Sequence, residues 1–496
     1  MSGPALSILP QLSAQTRVSQ LPESFYARVS PQQLNNPYLV AFSPAVADLL
    51  DIDPKQFHNQ QLIELLSGSR VAPNSDPVAM LYAGHQFGQY VSQLGDGRAL
   101  LIGDIRGRDG SDWEIQLKGA GLTPFSRMGD GRAVLRSTIR EFLGSEAIAA
   151  LGIPTTRALC ITGSDDPVYR EKPETAAVLT RVAPSHLRFG NFEVFFYRQQ
   201  YAELKILADF IIEQFYPACR EAQNPYLELL RQVIDRTAAL IARWQLVGFT
   251  HGVLNTDNMS MLALTIDYGP YGFLDSYESG FVCNHTDQQG RYAYDQQPRV
   301  GLFNLSCLAQ AMLPLIDDED GQRAAAAAKQ LLEGYQSAYQ AYYEQGMAAK
   351  LGISFAKGDE ALFSGLFEIM QGQVDFTNFF RGLCNFDESG KNDELRDMFI
   401  QRQKFDYWSQ DYAARLERES SNRQGRRQQM LATNAKFVLR NYLVHQAIIK
   451  AEKGNYSEVE TLLHILQNPF DEQPEFESYA DEPPDWAKTL ELSCSS

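Results

Sequence analysis

Thr250-His251-Gly252-Val253-Leu254-Asn255-Thr256-Asp257-Asn258, followed shortly by Asp267-Tyr268-Gly269, is the stretch on which the reading of this chain turns. An Asp beside an Asn, then a second Asp at the end of a short apolar run, are hard oxygen ligands of the kind a magnesium-bound nucleotide needs. Mg²⁺ keeps several waters and takes one or two carboxylates plus phosphate oxygens, so Asn258 and Asp267 would suffice as its protein ligands.

Upstream, Leu94-Gly95-Asp96-Gly97-Arg98 is flanked by apolar runs, which is a hairpin signal. Two roles stay open for this turn. It is a plain hairpin, or it is a glycine loop whose backbone N–H groups approach phosphate while Arg98 adds a guanidinium fork. Trp113 to Lys118 alternates apolar and polar residues and predicts a strand with Lys118 near its end. The segment from Ala133 to Leu151 puts Leu135, Ile139, Phe142 and Leu143 on one stripe, predicting a helix stopped by Gly152-Ile153-Pro154. Glu141 on that helix is placed to pair with Lys118; the plainer alternatives are an edge lysine and a surface carboxylate. Thr156 to Ile161 and Thr175 to Val182 predict two further strands, leading to Arg181 and Arg188 at the joint between two lobes.

Residues 203 to 247 read as continuous helix, Met259 to Asp267 as a short hairpin. Beyond Gln310 come helices at Arg323 to Lys329, Gly334 to Met347, Glu360 to Gly372, Phe405 to Arg427 and Phe437 to Lys450. The arginines from Arg415 to Arg427 read as a solvated helical face, Asn468 to Pro484 as an extended acidic arm, His251 as a loop-orienting residue and His85 as a turn residue.

At 496 residues, 44% hydrophobic and 21% charged, the chain can bury more than one core. Its net charge of −17 argues against non-specific nucleic-acid binding, which needs a basic face. An anionic nucleotide must therefore meet a local cationic pocket. The first thirty residues hold no apolar run suited to a signal peptide or membrane span, so no membrane and a cytoplasmic location are the expectation; a monomer is expected as well. The six cysteines show no CxxC spacing, hence neither a zinc site nor a disulfide scaffold.

The His-Gly loop followed by Asp-x-Gly looks kinase-like, yet Val253 stands where the catalytic Asp of an ordinary protein kinase would be. Longer motifs, Gln116-Leu117-Lys118-Gly119-Ala120-Gly121, Ser126 to Glu141 (SRMGDGRAVLRSTIRE) and His251 to Ser260 (HGVLNTDNMS), strongly resemble the selenoprotein O family. The resemblance implies an α+β, protein-kinase-like two-lobe fold with a β-rich N-lobe, a helical C-lobe and an additional helical C-terminal region. The expected segments are an N-terminal extension over 1–75, the N-lobe over 76–184, the C-lobe over 185–310 and the helical region over 311–496. It implies a protein adenylyltransferase that binds ATP in reversed orientation and transfers AMP to Ser, Thr or Tyr hydroxyls of protein substrates. Carried over residue by residue, Gly95, Gly97, Arg98, Lys118, Asp130, Gly131, Arg181 and Arg188 hold the nucleotide, Asp257 is the base, and Asn258 and Asp267 bind Mg²⁺ or Mn²⁺. A regulatory thiol pairing of Cys494 with Cys283 is a further expectation, linked to redox-related substrates. It would close a long loop worth roughly 5 kcal/mol in the chain-entropy model, against the reducing compartment. A phosphoryl-transferring kinase, an inert ATP-binding scaffold and a thiol redox protein remain as alternatives.

Overall fold

The computed structural model describes residues 12 to 490 apart from 14, 74 and 421. Its strands run, in chain order, as β1 (Leu12–Ser13), β2 (Tyr26–Arg28), β3 (Tyr38–Phe42), β4 (Val78–Met80), β5 (Gly84–Gln86), β6 (Gln89–Val91), β7 (Ala99–Arg106), β8 (Asp112–Lys118), β9 (Ala133–Val134), β10 (Arg157–Tyr169), β11 (Pro173–Ala183), β12 (Phe249–Thr250) and β13 (Gly272–Phe273). Nine of them form one antiparallel sheet in the order β2-β4-β7-β8-β11-β10-β3, with β1 on β7 and β9 on β11. The rest of the chain is mostly helical, so the fold is mixed α and β around one large sheet.

Strand alternation sends successive side chains to opposite faces, and it sorts this sheet chemically. Leu100, Ile102, Ile115, Leu117, Val178 and Val182 belong to an apolar layer that also takes in Val46 and Leu50 around the helix Pro44–Leu49 and Leu62, Leu65 and Leu66 of the helix Gln60–Leu66. On the other face stand Glu114, Gln116, Lys118 and Arg181, and the register sets Arg181 opposite Gln116 and Leu179 opposite Lys118. The polar residues of β8 are therefore not a solvent face: Glu114 and Gln116 are fully buried.

Farther along this face Asp104 lies opposite Glu114 in the β7–β8 register. Asp104 accepts from Arg17 at 2.9 Å, and Glu114 accepts from the backbone N–H and Nδ1 of His186, both at 2.8 Å. Burial pushes Glu114 up to about 7 against the pull of Arg17; burial and the Glu114 charge push Asp104 up to about 6. Both acids thus hold protons in the folded protein that the unfolded chain has released. The folded state binds more protons between about pH 4 and 7, so stability falls as pH rises through that window. We expect Glu114→Gln to remove about 2 kcal/mol of the stability lost between about pH 5 and pH 8. Urea midpoints at the two pH values check this, and an unchanged pH slope would refute it.

The helix Leu135–Ala150 packs under the sheet and buries Leu135, Ile139, Phe142 and Leu143, as its stripe predicts. The expected helix over 203 to 247 is broken by proline into Tyr201–Phe215, a short turn at Pro217–Glu221 and Pro225–Leu246. Met259 to Asp267 is not a hairpin. It makes isolated bridges, Ser260 to Arg188 and Thr265 to Thr155, and the strand pair is β12 with β13. The helix Gln297–Ile316, not anticipated, has the length and composition to span a bilayer, but its inner face (Val300, Leu305, Leu308, Met312) is committed to the main core.

Farther on, helices occupy Gly321–Glu333, Tyr335–Lys350, Glu360–Met370, Phe376–Leu383, Arg402–Leu416, Arg423–Thr433, Asn441–Ala451 and Ser457–Leu466. The expected helix from Phe405 to Arg427 is thus two, and the one expected from Phe437 begins at Asn441. Arg415 and Arg426 correct the solvated-face reading, since both are buried, pairing with Asp359 at 2.7 Å and with Glu388 respectively. The acidic segment after Asn468 is docked rather than extended: Glu472 and Glu477 both pair with Lys436, at 3.1 and 2.5 Å.

Candidate functional site

A cleft of about 1060 Å³ opens between the polar face of the sheet and the segment 253–270. Gly95, Gly97, Arg98, Lys118, Asp130, Gly131, Glu141, Arg181, Arg188, Asp257, Asn258 and Asp267 all line it, so these predicted site residues converge from separate parts of the chain between positions 95 and 267.

Asp267 is the centre. Its backbone is left-handed, at φ 60°, which turns the carboxylate out of the apolar run that precedes it. Lys118 Nζ reaches one oxygen at 3.1 Å and Arg181 the same oxygen at 2.5 Å, while Arg188 donates to the other. Burial opposes ionisation there, but Arg188, Lys118 and Arg181 outweigh it and hold the carboxyl well below the usual range. Glu141 bridges two of the same cations, Lys118 at 2.5 Å and Arg181 at 3.1 Å. Two residues absent from the predicted set complete the cluster. Gln116 accepts from Arg181 Nε at 3.0 Å, and Asp96 accepts from Met80 N–H at 3.1 Å with Arg188 3.9 Å away. Arg188 also lies 4.8 Å over the Tyr82 ring. Arg181 and Arg188 are thus part of a buried charge network, not simple tethers between layers.

The Gly95-Asp96-Gly97 turn is not a hairpin between paired strands. Leu94 and Asp96 hang by their N–H groups from Tyr82 and Met80, and the loop after β8 folds down on the turn: Thr123 Oγ1 donates to Asp96 O at 2.8 Å, and Ser126 Oγ to Gly97 O. Gly131 is required where this loop closes, because at φ 71° a methyl group there would fall 2.1 Å from the Gly121 carbonyl carbon. Asp130 stands at the rim, clamped by Arg170 at 2.7 and 3.0 Å. No sequence signal marks Arg170, which comes from the β10–β11 connection.

Asp257 is buried in the short turn Thr256–Asn258. Its carboxylate accepts from Gln86 at 3.2 Å, and its backbone carbonyl from Arg188 at 2.8 Å. Burial pushes its carboxyl up to about 7, with Gln86 and Arg188 opposing. Asn258 commits its amide nitrogen to Val253 O at 2.8 Å. His251 orients the loop as expected: Nε2 donates to Ile266 O at 2.9 Å. The helix Gln297–Ile316 braces it, with Gln297 accepting from His251 N–H and Asn304 donating to Leu254 O, each at 2.9 Å. His85 is a strand residue of β5, not a turn residue, and its Nδ1 meets Glu193 at 2.7 Å. Cys283 is buried beside this loop, its thiol pointing at Thr250 O across 3.7 Å; Cys494 lies outside the described residues.

A compact set of buried cations around an oxygen-rich acidic pair can hold a polyphosphate and a hard divalent ion side by side. The comparisons agree with such chemistry. Residues 9–467 match the family model described as protein adenylyltransferase SelO. Among similar proteins, the protein nucleotidyltransferase YdiU of Thiobacillus denitrificans is 52% identical over 497 residues, covering 99% of this chain and all of that protein. Those of Aliivibrio salmonicida and Pseudomonas putida, equally named, are 50% and 48% identical over 493 residues, again covering 99% of this chain and 100% of each relative. By the extent of that match, this chain belongs to the protein adenylyltransferase SelO family.

Proposed function

We propose that this chain transfers AMP from ATP to Ser, Thr or Tyr hydroxyls of protein substrates. The acceptor oxygen attacks the α-phosphorus, the bond from that phosphorus to the bridging oxygen of the β-phosphate breaks, and pyrophosphate leaves. Asp257 takes the hydroxyl proton. Lys118, Arg181 and Arg188 grip the outer phosphates, so that ATP lies reversed relative to a kinase, with Gly95, Gly97, Arg98, Asp130 and Gly131 around the remainder of the nucleotide. The convergence of those three cations, two of them fully buried, on Asp267, beside a separate buried carboxylate at Asp257, is the observation that carries this reading.

The donor set suits Mg²⁺ or Mn²⁺: an amide oxygen at Asn258 and a carboxylate at Asp267, with no sulfur or imidazole among the proposed ligands. Bound there, the ion would offset charge on the departing pyrophosphate. The architecture we propose is kinase-like and two-lobed, divided as in the expected segments above. A monomer in the cytoplasm, acting on redox-related proteins and regulated through Cys283 and Cys494, completes the reading.

Incubation with ATP labelled at the α- or the γ-phosphate tests it. Protein-bound label is expected from the α-position alone. Label retained only from the γ-position would make the enzyme a phosphoryl-transferring kinase, and label from neither an inert scaffold.

A further inference from the structure

The hairpin β5–β6 is not part of the main sheet; it stands beside the segment that carries Asp257. Its turn, Phe87-Gly88, has both residues at positive φ, 50° and 80°, the tight two-residue form that suits strand twist. Phe87 pays for that conformation through its N–H, which donates to Tyr292 OH at 2.9 Å and Asn255 Oδ1 at 3.3 Å. Two residues earlier, His85 N–H donates to Thr256 Oγ1 at 2.6 Å, and its ring is held by Glu193. The hairpin is therefore bolted to the residues immediately before Asp257.

Between these bolts, alternation along β5 turns Gln86 away from the His85 side and into the cleft, where its Nε2 donates to Asp257 Oδ2 at 3.2 Å. The other oxygen, Oδ1, is buried and finds no hydrogen-bond partner among the described residues. Gly84 makes the approach feasible: a methyl group on it would sit 2.7 Å from Oδ1 and 3.0 Å from the Asp257 Cβ. The carboxylate is thus clamped between the bare backbone of Gly84 and the amide of Gln86, with one oxygen engaged and one left over.

We infer that Gln86 is a positioning residue for the acceptor half of the reaction, holding the Asp257 carboxylate in one orientation at the cleft wall through Oδ2 while Oδ1 packs against Gly84. This rests on the assignment of Asp257 as the base. Gln86 touches neither the cation cluster nor Asn258 in its hydrogen bonding, so it acts on the acceptor and not on ATP. A carboxylate free to rotate would still take a proton, but from fewer productive geometries, and misplacement by about 1 Å can cost on the order of 10²-fold.

The test compares wild type with Gln86→Leu, which keeps the bulk and loses the donor, and Gln86→Glu, which sets like charge against Asp257. Steady-state label transfer is measured at varied ATP. We expect Gln86→Leu to lower kcat roughly 10-fold to 100-fold with KM for ATP within about twofold, and Gln86→Glu to be slower still. Wild-type kcat in Gln86→Leu would overturn the inference. So would equal losses in both variants accompanied by weakened ATP binding and a lowered Tm, the pattern of a merely structural residue. A double-mutant cycle on unfolding with Asp257→Ala reads the contact whichever phosphate the enzyme transfers. Additive effects there overturn the inference, whereas γ-label transfer by the wild type overturns only the proposed function.

Discussion

Asp267→Ala is expected to lower AMP transfer by roughly 10³-fold, the loss usual when a group that stabilises developing charge is removed. The substitution deletes a proposed metal ligand and also the anion on which Lys118, Arg181 and Arg188 converge. The buried Arg181 and Arg188 and the partly buried Lys118 would then share Glu141 and Asp96, and breaking a buried pair by removing one partner typically costs about 3–5 kcal/mol. Stability should therefore fall together with activity. The affinity for metal-free ATP should not fall, because the Asp267 carboxylate competes with phosphate for the same three donors. Calorimetric titration of ATP without divalent ion separates the two roles. Transfer within about tenfold of wild type, or metal-free binding that weakens sharply, would contradict the assignment.

For Asp257→Ala the pattern differs. Loss of a general base is worth roughly 10²–10⁴ in rate, and kcat should drop by that amount. The nucleotide should still bind, since Arg188 is held here by the Asp257 backbone carbonyl at 2.8 Å, which alanine retains. Stability should be unchanged or higher, because the side chain is buried with one oxygen bonded to Gln86 and the other without a hydrogen-bond partner among the described residues. Thermal unfolding and ATP titration alongside the rate assay check all three, and undiminished transfer would remove Asp257 from the mechanism.

Lys118, Glu141 and Asp267 stood out in the sequence by position, but their roles and that of Asp130 came from the longer motifs shared with the selenoprotein O family, and the charged residues Asp96 and Arg170 carried no signal. Lys118 ends a strand before Gly119, Asp130 precedes Gly131, and Asp267 closes an apolar run. The neutral half was not readable. Gln86, Gln116, Gln297 and Asn304 carry no charge or spacing to set them apart, and their partners lie far away in sequence.

Periodicity marks the helix Leu135–Ala150 but not Gln297–Ile316, and the breaks within residues 203–247 come from Pro217 and Pro225, which the apolar pattern does not register. Arg415 and Arg426 were misread for a different reason. A run of arginines looks solvated until Asp359 and Glu388 are brought up from other segments. Sheet order was likewise beyond local pattern, since β3 pairs with β10 and β2 with β4 across intervening helices and loops.

The placement of the last helices carries a consequence for how the molecule is made. Asn441–Ala451 and Ser457–Leu466 pack against Leu135–Ala150, and Gln467 donates to Ser43 at 3.0 Å. The helix that bears Glu141 therefore leaves the ribosome long before the chain that will cover it. At about 5–20 residues per second the wait is on the order of tens of seconds. Throughout that interval its greasy flank is bare in the nascent polypeptide, so this protein must lean on chaperones or tolerate a late, concerted closure of its two ends.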